Sequence, residues 1–589
     1  MTEGEAPAAR AAQVSAQANA QAPLSDWLPL PWILAGLLAL AGLLIYFLTD
    51  GHETRPLNAA ITAFIFFGSI CAAFSIGQDR VREPAIFAVL AGLVMAGLTY
   101  NAVVMQDHMA GAEFGFAAGV FASIIALPLF QAGFHRTRFA TEYRITHFHV
   151  WTDAVSSAGA LAFTGLSWIM LVLLNGLLDL VGIDLISTLM DKDWFALMWS
   201  GGAFGAALGV LRNNLKIIGS LQSVVLMVLS LLAVPLALAL VVFLVALLAS
   251  GGQALWDATD AATPVLLACA LGSYVLANVI IRDEDEARSP NRIMRITSLV
   301  LAAGILPLAV FAAISMGIRI DQYGLAPERI WALVTIIIAV AYGLAYWVGL
   351  VRGRKARWTA FLRRANLHLA AATCVAALIL ALPILDFGGI SARNQVARLE
   401  AGRVTPQEFD YAALRWDFGD AGREVLADLA AGEGEVAQLA LAAQAQTERP
   451  YSPMRRASAE GFTGKLRVQS DDPTLRPIVL AFLQFEPWQC GEICVAVDLG
   501  MDDQGRRDVA FVQAHGYQRV LIDEEGNGRP FNEQSPDERQ PLTLDSVIEV
   551  RDEVSRHIYL DGRRIGPPLV DAAVTEPAEV PLIAVPPAE

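Results

Sequence analysis

The stretch LQSVVLMVLSLLAVPLALALVVFLVALLA, residues 221–249, decides the fold class. Its 29 residues include no charged side chain. About 20 apolar residues of helix cross the roughly 30 Å hydrocarbon layer of a bilayer, so this run spans one with residues to spare for tilt. Working outward, apolar runs recur at 31–49, 57–76, 84–104, 113–134, 154–181, 196–211, 263–281, 293–317, 328–350 and 366–386, each bounded by a polar connector. The expectation is a polytopic α-helical membrane protein with about 11 transmembrane helices and a C-terminal soluble α+β extracytoplasmic region. The sixth run, 196–211, is short for a span.

Composition points the same way. Hydrophobic residues make up 55% and charged residues 17%, with mean hydropathy +0.48. Soluble domains carry about 25% charged residues. The charge is uneven: residues 387–589 hold 34 acidic against 20 basic side chains, a net of −14 out of −16 for the chain. That part repels phosphate, which argues against a nucleic-acid partner. Only four of the 42 basic residues are Lys, a coding bias that points to a GC-rich bacterial genome.

Arginine and lysine alternate across the connectors. The even-numbered ones carry seventeen, and the odd-numbered ones only Arg55, Lys192, Arg319 and Arg329. Basic residues stay on the cytoplasmic side, so the N-terminus is expected in the cytoplasm and, after an odd number of helices, the C-terminal region in the periplasm. Cys490 and Cys494 would then meet an oxidising compartment. Two readings stand for them: a local disulfide through a tight turn at Gly491, or two free buried thiols.

The expected organisation is a disordered cytoplasmic N-terminus (1–26), a transmembrane domain (27–386), a helical juxtamembrane segment (387–446), a strand-rich soluble domain (447–570) and a disordered tail (571–589). The apolar run after the N-terminal segment lacks a basic flank and reads as a retained first helix. In the juxtamembrane segment Thr405-Pro406 resembles a cap followed by proline at the first helical position, giving helices over 406–415 and 420–431. Strands are expected at 465–468, 493–499, 508–512, 519–522 and 547–550, and a hairpin over 557–565 turning at Asp561-Gly562.

Several motifs bear on function. Gly201, Gly205 and Gly209 share one helix face, which predicts close helix packing, with a broken helix lining a cavity as the sharper alternative. His147 and His149, at i, i+2, face opposite sides of a helix and make a poor metal site; Asp153 reads as the cap of the fifth helix. Asn175 and Asp179 share a face late in that helix. The connector Arg319-Ile-Asp321-Gln-Tyr323-Gly324-Leu-Ala-Pro327-Glu328-Arg329 puts two arginines on the arginine-poor side. Arg319, Asp321, Tyr323, Glu328 and Arg329 are therefore the candidate substrate-binding residues, for an anionic headgroup or solute, unless they form a structural clamp. There is no Walker A loop, His-Glu-x-x-His, Gly-x-Ser-x-Gly or Cys-x-x-Cys, and no cofactor or metal is expected.

After the last helix the chain reads Asp386-Phe-Gly-Gly-Ile-Ser391-Ala-Arg393-Asn-Gln395-Val-Ala-Arg398-Leu399-Glu-Ala-Gly402-Arg403, then Phe409-Asp410-Tyr411, Leu414-Arg415, Gly419 and Gly422. With Tyr323-Gly324-Leu325, this resembles the bacterial membrane family called domain of unknown function 4153, over residues 30–430. Ala326 stands where a capping Thr is expected for the tenth helix. The resemblance implies an inner-membrane protein and supplies no catalytic residues. Physically, Arg393, Gln395, Arg398 and Arg403 mark a membrane-exit segment, with the arginines along the headgroups and Ile390, Val396 and Leu399 turned inward.

Three functions compete. The first is a non-enzymatic envelope scaffold or sensor whose outer domain binds a protein partner. The second is a transporter or flippase for a small or lipid-linked anionic solute. The third is a membrane-embedded transferase on a lipid-linked substrate. The absence of chemistry motifs and the acidic strand-rich end favour the first.

Overall fold

A computed structural model describes residues 27–50, 55–78, 80–250, 262–285, 291–352, 358–449 and, with short gaps, 462–530 and 556–569. The N-terminal 1–26, the tail 571–589, the expected strand 547–550 and the turn Asp561-Gly562 lie outside the described residues.

Eleven described helices are long and apolar enough to cross a membrane. They are α1 (Leu30–Thr49), α2 (Pro56–Ser75), α3 (Arg82–Val104), α4 (Ala112–Gln131), α5 (Tyr143–Asp179), α6 (Asp193–Asn213), α7 (Leu215–Ala249), α8 (Ala262–Ile281), α9 (Arg292–Tyr323), α10 (Pro327–Arg352) and α11 (Trp358–Ala381). Proline in the first turn opens α1, α2 and α10, where its missing N–H costs no intrahelical bond.

Small residues set the packing. Lipid tails are as apolar as leucine, so helices associate through close backbone contact rather than hydrophobic exclusion. An added Cβ at Gly201, Gly205 or Gly209 of α6 would overlap backbone of α1 at Leu38, Leu34 or Pro31, and one at Gly42 of α1 would overlap the Leu197 carbonyl. Elsewhere Gly343 meets Leu306 and Gly92 meets Phe64. The largest core joins α7 to α11 around Leu301, Ile305, Leu308 and Leu362. Inside it, Asn278 Nδ2 donates to Tyr346 Oη (2.6 Å), Tyr346 Oη to Asn366 Oδ1 (3.1 Å) and Asn366 Nδ2 to Asn278 Oδ1 (2.7 Å). The triangle closes on itself, which is what makes three buried polar groups tolerable here.

Several spans differ from the sequence expectation: α7 starts at Leu215 and α9 ends at Tyr323, each six residues beyond its expected bound, and the sixth and fifth differ as follows. The sixth is not short: α6 runs unbroken for 21 residues. Its second turn is tied to α5 by reciprocal bonds, Trp168 Nε1 to Ser200 Oγ (3.0 Å) and Trp199 Nε1 to Ser167 Oγ (3.1 Å). The fifth begins at Tyr143, so Asp153 lies in its third turn rather than at its cap. Thr146, His147 and Thr152, read as connector because they are polar, are buried among neighbouring helices.

Four short helices follow the last span: α12 (Phe387–Glu400), α13 (Tyr411–Trp416), α14 (Gly419–Ala430) and α15 (Glu435–Gln444). They share a small core around Ala392, Phe409, Leu414, Phe418 and Leu426. The expected start at Thr405-Pro406 is a turn instead, with Thr405 Oγ1 bonded to Glu408 Oε2 at 2.8 Å. Asp410 caps α13 through the Ala413 N–H (2.9 Å), because aspartate accepts that bond as readily as threonine.

Residues 447–589 form a separate compact unit. Its five-stranded sheet has the order β1 (Leu466–Gln469), β2 (Cys494–Met501), β3 (Arg507–Gln513), β4 (Gly516–Ile522), β5 (Gly528–Pro530). β1 and β2 run parallel, so a crossover is required, and α16 (Leu475–Phe485) supplies it. That helix was missed in the sequence; Val479, Phe482 and Leu483 pack it on Phe511 and Val520. Cys490 and Cys494 are disulfide-bonded, with Cα atoms 5.4 Å apart. β6 (Arg556–Leu560) and β7 (Arg563–Leu569) form a hairpin.

Gly205→Val should lower the melting temperature of the detergent-solubilised protein, at a cost of about 2 kcal/mol or more from overpacking against a backbone that cannot retreat. Gly165→Ala, where an added Cβ meets nothing within 4 Å, should be neutral or stabilising. Equal behaviour of the two would contradict the packing.

Candidate functional site

The polar candidates gather on the arginine-poor face, where α12–α15 dock on two connectors. Asp386 Oδ1 caps α12 by accepting from Gly389 N (2.8 Å). Gly388 then lets the helix pass so close to Phe418 that an added Cβ would overlap its carbonyl oxygen. This fixes which side of α12 faces the α9–α10 connector.

That side recognises main chain. Asn394 Oδ1 accepts from Leu325 N (2.8 Å), while Gln395 Nε2 donates to the carbonyls of Tyr323 (2.9 Å) and Leu325 (2.8 Å). Arg398 donates through Nη1 to Asp321 O (2.7 Å) and through Nη2 to Gln322 O (2.8 Å). A helix leaves its last four carbonyls without intrahelical donors, and a cation there also meets the negative end of the helix dipole. Arg329 reaches back to Gly324 O (2.7 Å) and Tyr323 O (3.2 Å), its guanidinium 5.5 Å from the Tyr323 ring centre. Gly324 is required twice over: its φ is +73°, and a Cβ would stand 2.7 Å from Gln395 Nε2.

The remaining candidates contribute less. Arg403 stands 3.9 Å from the exposed Asp321, a contact of little energetic weight. Glu328 and Arg393 are exposed and take no part in a hydrogen bond or ion pair among the described residues, so Arg393 stands apart from Gln395 and Arg398. Arg319 sits one turn inside the end of α9.

A second contact, not foreseen in the sequence, ties α14 to the α3–α4 connector. His108 Nδ1 lies 2.8 Å from Asp420 Oδ2, and Asp420 N donates to His108 O (2.8 Å). Arg423 binds the Asp107 carbonyl and pairs with Asp420 at 2.5 Å. Hydrogen bonds from Arg423 and His108 hold the Asp420 carboxyl below its ordinary value of 3.8. Gly419, at φ +65°, comes so near the His108 carbonyl that no side chain fits. Between the two contacts Trp331 of α10 bridges Phe114 of α4 and Phe387 of α12, with ring centres 6.0 and 5.2 Å away. Asp107-His108 in an otherwise uncharged connector was the available sequence signal.

The other motifs lie elsewhere. His147 and His149 leave opposite sides of α5, and His147 packs between Tyr143 (5.6 Å) and Trp151 (6.3 Å). Asn175 lies near the end of α5, and Asp179 ends it. Among the described residues no group of three His, Cys, Asp or Glu side chains is placed to hold a metal ion. The arginines and amides Arg329, Gln395, Arg398 and Arg423 of the junction address main-chain carbonyls.

Arg398→Ala should loosen the docked helices by about 1–3 kcal/mol, seen as faster proteolysis within 387–446, while Arg393→Ala should not. Asp420 also makes docking pH-dependent. A carboxyl with a lowered folded-state value stabilises above about pH 4, and that contribution is lost as pH falls through the lowered value. Protease sensitivity of wild type should rise on acidification below pH 4; Asp420→Asn should be more sensitive at pH 7 and flatter across that range.

A family model described as Domain of unknown function (DUF4153) matches residues 60–429, from the first turns of α2 to the end of α14. It takes in both connectors and α12–α14 and stops before α15 and the strand-rich unit. Neither a search of curated proteins nor one of solved structures found a match. With well over half its length matched, the chain belongs to the family of membrane proteins carrying the Domain of unknown function (DUF4153).

Proposed function

We propose that this integral membrane protein is a non-enzymatic envelope scaffold or sensor of the bacterial inner membrane, presenting its C-terminal unit to a protein partner in the periplasm. One observation carries this reading: Arg329, Arg398 and Arg423 on the arginine-poor face are engaged with main-chain carbonyls at two connectors. Groups so placed build a rigid stand; they do not form an open anion-binding site.

Orientation rests on separate grounds. Seventeen basic residues on even connectors against four on odd ones support an outward C-terminus. A disulfide at Cys490–Cys494 supports an oxidising compartment for the same region. The acidic balance of residues 387–589 suits a partner with basic surface. α6, the broken-helix candidate that a transport reading leaned on, is continuous.

Purification of the intact protein in mild detergent, followed by mass spectrometry, should yield a stoichiometric protein partner that is lost when residues 451–589 are deleted. A preparation carrying one enriched small solute, lost with Arg329→Ala while the protein stays folded, would overturn the scaffold reading. A periplasm-active reporter fused after Glu589 should be active; activity of a cytoplasmic reporter there would reverse the orientation.

A further inference from the structure

On the arginine-rich face, an open groove of about 640 Å³ runs between α3, α4, α11 and the short segment linking α4 to α5. Its lining is apolar except at the mouth, where His135 and His368 stand. The floor is aromatic: Phe87 stacks on Phe130 with ring centres 4.1 Å apart, and Phe130 stacks on His135 at 4.8 Å. Across the mouth Phe139 meets His368 edge-on at 5.2 Å. Each imidazole is thus held by a phenyl ring where the groove passes from apolar to polar.

Two arginines lie close in the chain to Phe139 and His368. Arg138 immediately precedes Phe139, and Arg364 lies one turn before His368 on the same face of α11. Both are exposed, and neither has an ion-pair partner among the described residues. Arg136 beside them is paired with Glu83, which leaves Arg138 and Arg364 as the uncompensated charges. Arg138 also holds φ +49°, a region that favours glycine, so its side chain is kept at a conformational cost.

We propose that this groove binds one anionic phospholipid of the adjoining leaflet, its acyl chain on the aromatic floor and its phosphate between Arg138, Arg364 and the two imidazoles. Charge complementarity selects the occupant: a free anion leaves the apolar floor uncovered, and a zwitterionic lipid brings a cation of its own beside two unpaired guanidiniums. The bound lipid would fasten α3 and α4 to α11 at the face opposite the docked helices. The site stands apart from the scaffold reading and does not depend on it.

The test uses the full-length protein in mild detergent, mixed with phosphatidylglycerol or phosphatidylcholine of identical acyl chains, and counts retained lipids by native mass spectrometry. Wild type should prefer phosphatidylglycerol by about tenfold or more, since each arginine near a headgroup contributes several-fold. Arg138→Gln with Arg364→Gln should remove the preference and leave residual binding of both lipids. Ala372→Phe, filling the groove, should remove retention altogether, with size-exclusion elution unchanged. Arg292→Gln with Arg295→Gln, on the same face but off the groove, should behave as wild type. Equal retention of both lipids by wild type, or an equal loss of preference in the control pair, would reduce the effect to general surface charge and overturn the proposal. Displacement by excess inorganic phosphate with no lipid dependence would overturn it in favour of a free-anion site.

Discussion

Helix ends are the constraint on which the rest of this structure depends. A helix that stops near hydrocarbon leaves carbonyls that water cannot reach freely, and they need donors from within the protein. Here arginine from a different helix supplies them repeatedly. Arg212 of α6 binds carbonyls of Ala73 and Ile76 at the end of α2. Arg363 of α11 binds Ile281 O (3.1 Å) and Arg282 O (3.0 Å) at the end of α8. Arg398 of α12 does the same at the end of α9. Each guanidinium offers several donors in a fixed fork and opposes the helix dipole, so one side chain both satisfies an end and ties two helices together. Arg329 persists on the arginine-poor face for this reason.

The consequence is a membrane domain whose two faces are built differently. On one, arginine-rich connectors carry unpaired cations beside an aromatic groove. On the other, α12–α15 are bolted to the α3–α4 and α9–α10 connectors by side chains that read backbone. The family match ends within this docked layer and does not reach the strand-rich unit.

Much of this was legible in the sequence, and the limits have physical causes. Eleven spans followed from apolar length, because lipid imposes one requirement on every crossing segment. The Gly201, Gly205 and Gly209 face was visible, but its partner α1 was not, since spacing within one helix says nothing about which neighbour fills it. The start of α5 was misplaced because Thr146, His147 and Thr152 are polar yet buried. The connector from Arg319 to Arg329 stood out by charge and Gln395 as part of the exit segment, but neither showed that Asn394 and Gln395 address the connector's backbone, because a helix's own letters do not name the main chain it meets. α16 was missed although its apolar residues recur with helical period, because the run Ile478–Leu483 is continuously apolar and fits a buried strand as well as a helix.

Hydrogen exchange on the intact protein in lipid nanodiscs tests the central claim, that connector and docked helices form one unit, most directly. The account predicts that amides of 321–326, 105–111 and α12–α14 share a single slow opening, because the same side chains close all three. Fast exchange across α12–α14 while the connectors stay protected would show helices that merely follow the last span, and would contradict it.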